Sequence, residues 1–127
     1  MIDASKNSQP VDLSYLSDMA GDSPEFMIEM IDLFKSQTPV YIAELEQAVK
    51  ENDWAKVSMH AHRVKPTFIY VGRDDAKNHM QMMENNAKNG EDLDKMPHAL
   101  DEIKSMLEVL YQQLAVARRA LEQRVGS

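Results

Sequence analysis

The chemistry this chain could carry centres on a histidine with a lysine three residues on. His62 and Lys65 lie in the segment AHRVKPTFIYVG, from Ala61 to Gly72. On a helix this spacing puts both side chains on one face, with Cβ atoms about 5–6 Å apart. Imidazole titrates near neutrality, so at cellular pH a substantial neutral fraction offers a ring nitrogen that can attack phosphorus. Phosphoryl transfer then demands of a protein mainly positioning and charge stabilisation. His62 suits the role of nucleophile and phosphoryl acceptor, and Lys65 that of charge stabiliser. Pro66 follows directly and cannot donate to the carbonyl four residues back, which is that of His62. The backbone should loosen there, and Gly72 should end the helix.

Competing chemistries find less support. His60 and His62 are two apart and point to different sides of a helix, while His79 and His98 fall in other segments. No i, i+4 histidine pair and no H-E-x-x-H motif occurs, and His98 with Glu102 makes half a site, so no protein-bound metal is expected. The chain has no cysteine, which excludes disulfides, a thiol nucleophile and thiolate ligation. Met80 and Met83 sit on an apolar stripe and read as core filling. Gly-rich phosphate loops are missing, and neither a Ser-His-Asp set nor a carboxylate pair can be argued from the spacing, so no ATP site and no bound cofactor are expected. No acidic cluster is aimed at His62, so any Mg²⁺ should belong to a partner.

The elements that must hold this pair are helices. With 127 residues, 43% of them hydrophobic, the chain is one domain, and its 4 Gly and 5 Pro leave long periodic runs unbroken. Residues 1–10 read as a flexible arm, and Val11, Leu13 and Leu16 suggest a short lid helix. Asp22-Ser23-Pro24-Glu25 is a helix start whose helix should stop near Gln37, and Thr38-Pro39 reads as a second start. A third helix buries Val57, Ala61, Val64 and Phe68 and leaves His62 one step off that stripe. A fourth takes Ala76, Met80, Met83 and Ala87 inward and closes at Asn89-Gly90. The last, from near Pro97, repeats apolar residues from Leu100 to Leu121 at alternating offsets of 3 and 4, and its part beyond Gln112 should project or pack on a second copy. The expected fold is all-α: an antiparallel up-down four-helix bundle with a short N-terminal lid helix and a long C-terminal helix. The division is residues 1–10, 11–111 and a helical extension at 112–127.

Charge narrows the partners. The net charge of −7 argues against nucleic acid. Between Lys56 and Lys77 five basic residues face two acidic ones, a net +3 against −10 over the rest, as suits an anionic ligand or an acidic pocket. No signal peptide or membrane span of about 18 apolar residues is present, so the expected location is cytoplasmic.

In these residues the sequence resembles the histidine-containing phosphotransfer (HPt) domains of multistep phosphorelays. That signature has a small residue before the histidine, an aliphatic two on, a lysine at the third, a small residue or proline at the fourth and a glycine at the tenth. Ala61, His62, Val64, Lys65, Pro66 and Gly72 match it in order. The likeness extends through VDLSYL, SPEFMIEMIDLF, the leucine and alanine of AELEQA, and MENNAKNGED, covering roughly Val11 to Tyr111. It implies a bundle whose histidine takes a phosphoryl group from one receiver-domain aspartate and passes it to another. The receivers belong to response regulators or hybrid histidine kinases, and Ser58, Arg63, Pro66, Ile69 and Arg73 would shape the docking surface. Ile69 and Phe68 are bulkier than the family pattern and should affect access to the ring. The expected state is a monomer, with a dimer through the last helix as the alternative. A non-catalytic helical assembly module is the competing function. Met1 and the polar arm favour a freestanding protein over a piece of a hybrid kinase.

Overall fold

The computed structural model describes residues 2–126; Met1 of the expected arm and Ser127 of the expected tail lie outside the described residues. Regular structure among the described residues is entirely helical. The α-helices are α1 (Ser14–Ala20), α2 (Pro24–Lys50), α3 (Trp54–Val64), α4 (Asp74–Asn89) and α5 (Met96–Val125), with 3-10 turns at Ala4–Ser8, Lys65–Phe68 and Leu93–Lys95.

The four longer helices contact one another in the cyclic order α2, α3, α4, α5, and α1 lies on α2. Ion pairs joining Glu46 to Lys104 and Asp32 to Arg118 show that α2 and α5 run antiparallel. Between them lies one aliphatic and methionine-rich core. Ile31, Leu45, Val57, Val64, Phe68, Met80, Met83, Ile103 and Leu110 are all fully buried, each side chain contributing about 1.5–3 kcal/mol. The stripes expected on α3 and α4 are buried in full, and that on α5 is buried except at half-buried Ala117.

α2 departs from expectation. Thr38-Pro39 does not start a helix; α2 runs unbroken for 27 residues with Pro39 inside it. An interior proline costs about 3 kcal/mol. Two features offset that cost. Thr38 is buried and its Oγ1 donates to the Phe34 carbonyl at 2.5 Å, the back-bonding alternative to capping. Phe34, Ile42 and Leu45, on both sides of the proline, are buried in the core. Tertiary packing thus overrides a local stop signal.

The continuity of α2 also explains the tail. At 30 residues α5 is about 45 Å long and α2 about 40 Å, so α5 keeps a partner along most of its length. Leu114 and Leu121 are buried, Arg118 forks onto Asp32 at 2.8 and 2.9 Å, and Arg124 reaches the Asp22 carbonyl. The segment after Gln112 therefore packs on the N-terminal half of α2 rather than projecting.

The N-terminal residues are likewise held. The Asp3 side chain caps the first 3-10 turn, and Gln113 of α5 donates to the carbonyls of Lys6 and Gln9 at 2.8 and 2.6 Å. In place of a loose arm, a strap crosses the base of the bundle.

Candidate functional site

α3 is capped by Asp53, whose side chain accepts from the Lys56 N–H at 3.2 Å. With Val57, Ala61 and Val64 pinned in the core, the neighbouring His62 is placed at the rim, and its side chain is 68% exposed. Pro66 acts as expected but sooner: α3 ends at Val64, the chain tightens into the 3-10 turn, and Thr67 Oγ1 donates to the Val64 carbonyl at 2.6 Å. Gly72 closes the following turn at φ +69°, and a Cβ there would sit 2.1 Å from the Asp12 carbonyl oxygen. Only glycine permits both that backbone and that approach.

Across from α3, α4 presents Glu84, whose side chain is only 5% exposed. Three groups converge on it. His62 Nδ1–H donates to Oε2 at 3.0 Å, Lys65 Nζ to Oε1 at 3.0 Å, and Lys88 Nζ to Oε2 at 3.2 Å. Lys65 also donates to Gln81 Oε1 at 2.6 Å. Burial works to raise the Glu84 pKa, but the hydrogen bonds from Lys65, Lys88 and His62 outweigh it and hold the carboxyl below its ordinary value. An ionised carboxylate only accepts, so the neutral form of the His62 ring has its proton on Nδ1 and its lone pair on Nε2. The arrangement is an exposed imidazole with a defined nucleophilic nitrogen, backed by a buried anion and two ammonium groups.

His62 and Lys65 are therefore brought together, joined through Glu84. Arg63 turns the other way, pairing with Glu44 and stacking over the Tyr41 ring at 4.6 Å, with His60 alongside. Pro66 is exposed and Ile69 half-buried. Neither Ile69 nor Phe68 closes off the ring: His62 remains open, and Phe68 points into the core against Phe34. Two expected docking residues are not at the surface. Ser58 is buried on the inner face of α3. Arg73, 2% exposed, forks onto Asp75 at 2.8 and 3.0 Å and bonds Asn7 and the Asp3 carbonyl. It fastens the strap and adds no positive charge to the site. Of the other cations in the net +3 stretch, Arg63 pairs with Glu44 and Lys65 with Glu84, both from outside it. Among the described residues no group of three or more His, Cys, Asp or Glu is placed to hold a metal ion, and no helix is long and apolar enough to cross a membrane.

Glu84 and Lys88 were the residues that sequence reasoning missed. The signal was a glutamate adjoining the Met80, Met83, Ala87 stripe with a lysine four residues on.

The Hpt domain family model matches residues 29–123, from within α2 through the segment bearing His62 and Glu84 and into the last turns of α5. The chain belongs to the Hpt domain family. Hpt domains are phosphocarrier modules of phosphorelays, not kinases, and interact with receiver domains of two-component systems. No curated protein and no solved structure matches this Hpt chain.

Proposed function

We propose that this Hpt domain accepts a phosphoryl group on Nε2 of His62 from the aspartyl phosphate of one receiver domain and passes it to the aspartate of another. The N–P bond forms as the acyl-phosphate P–O bond breaks, and the donor leaves as a free carboxylate. The observation that carries this reading is the exposed His62 ring, its Nδ1–H tied to buried Glu84 at 3.0 Å inside the family match. Lys65 stands at the same carboxylate as counter-charge for the incoming group. Mg²⁺ enters with the receiver.

The receiver contact also needs an apolar surface beside the site. Leu33, Met30, Gln37, Thr67 and Tyr70 line one groove, Thr67 coming from the 3-10 turn that contains Pro66. Tyr15 packs edge-on against Tyr70 with centroids 5.7 Å apart, and Tyr15, Met19, Phe26 and Leu33 are exposed. This face, with Pro66 and Ile69, is the docking surface we assign. The seam of α5 is spent on α2, which favours a monomer; the cytoplasm is the location we assign to it and its receivers.

Incubating the chain with a phosphorylated receiver should transfer an acid-labile, base-stable label. Label that persists undiminished in His62→Gln would contradict the assignment.

A further inference from the structure

Glu84 does more than hold a ring in place, because it is charged and its partners form a closed set. The groups facing it are His62 of α3, Lys65 of the 3-10 turn and Lys88 of α4, with neutral Gln81 beside Lys65. On the far side of α3, Arg63 and His60 are directed at Glu44 of α2. Two lysines and one carboxylate leave an excess positive charge. A phosphoryl group brings about two negative charges. If the ring keeps its Nδ1 proton, three positive groups then balance the carboxylate and the phosphoryl group.

We propose that the Glu84 carboxylate keeps the Nδ1 proton on the ring throughout transfer, so that His62 carries its cargo as an N-phosphorylimidazolium. This rests on the phosphotransfer reading and specifies its chemistry. On loading, the Nε2 lone pair forms the N–P bond, the P–O pair departs with the donor carboxylate, and the ring becomes a cation beside Glu84. On unloading, the N–P pair returns to the ring, which leaves as neutral imidazole. No proton enters or leaves in either direction. Without the carboxylate the ring cation sheds its proton more readily, and N–P cleavage must then expel an imidazolate, a far poorer leaving group. Glu84 acts through His62 and is a positioning residue with an electrostatic task.

The test uses the whole chain, with His62 loaded by phosphoramidate, a small phosphoryl donor, and loss of the N–P signal followed by ³¹P NMR across pH. Loss slows as pH rises past the point where the ring sheds its proton. Glu84→Gln keeps an acceptor for Nδ1–H but removes the charge. Its transition should fall by about one pH unit, with several-fold slower loss at neutral pH. Lys88→Gln, at a side chain 60% exposed and safe for folding, relieves Glu84 of a competing cation and should move the transition upward. Unmoved transitions in both variants, each loaded on His62, overturn this inference and leave the phosphotransfer reading standing. A wild-type chain that loads from phosphoramidate but takes nothing from a phosphorylated receiver overturns that reading instead.

Discussion

Two buried carboxylates on α4, Asp75 and Glu84, have the same immediate chemistry and opposite surroundings. Each side chain is nearly inaccessible, at 7% and 5% exposure, and each is met by basic groups. Around Asp75 the principal partner, Arg73, is itself buried, the Asp3 N–H donates at 2.8 Å, and Lys6 of the strap stands at 3.9 Å. Around Glu84 the partners reach outward: His62 is 68% exposed and Lys88 60%. The first cluster fastens the strap to the bundle. The second presents a reactive ring to solvent and fixes which nitrogen is free. Burial of a carboxylate thus marks a constraint, and the exposure of what it holds decides whether that constraint serves the fold or the chemistry.

Substitutions should separate the two clusters, beginning with the largest effect on stability. Arg73→Ala leaves Asp75 buried without its main cation and should cost about 3–5 kcal/mol, read as a fall in melting temperature of about 10 °C or more. Its folded fraction should still accept phosphoryl groups, since nothing in that cluster touches His62. Gly72→Ala forces a Cβ toward the Asp12 carbonyl at a positive φ and should cost about 2–3 kcal/mol by urea denaturation.

Acid should find the latch as well. Burial works to raise the Asp75 pKa, but the bonds from Arg73 and the Asp3 N–H dominate and lower it from 3.8 to about 2. A lowered folded pKa gives stability that is complete above the unfolded value and is lost as pH falls through the folded one. Stability should drop by about 2 kcal/mol between about pH 4 and 2, and this step should vanish in Arg73→Gln. The smallest stability effect belongs to the site. Lys65→Ala should cost about 1 kcal/mol, because Lys88 and His62 still satisfy Glu84, yet it should slow phosphoryl transfer about tenfold or more in a time course with a phosphorylated receiver.

The sequence carried the parts of this picture that depend on local pattern. The stripes of α3, α4 and α5, the break at Pro66 and the pairing of His62 with Lys65 follow from periodicity and backbone chemistry. What was not legible depends on distant partners. Thr38-Pro39 has the look of a helix start, and the bond from Thr38 back to Phe34 together with core packing on both sides makes it helix interior. Arg73 sits close to His62 in sequence, but Asp75 and the strap draw it into the base of the bundle. The residues flanking Glu84, Met83 and Asn85, do not reveal that α4 aims it at a histidine 22 positions earlier.

The central claim is that His62, alone among the four histidines, carries the phosphoryl group. The competitors differ in setting: His79 is buried with Nε2 on the Ala99 carbonyl at 2.7 Å, His60 is largely covered beside Glu44, and His98 pairs with Glu102 at 3.5 Å away from the Glu84 network. The direct measurement is phosphopeptide mapping by mass spectrometry, under mildly basic conditions, of the whole chain loaded by a phosphorylated receiver. The account predicts one modified peptide, with the phosphoryl group on His62. Modification at His60, His79 or His98 with His62 unmodified would contradict it.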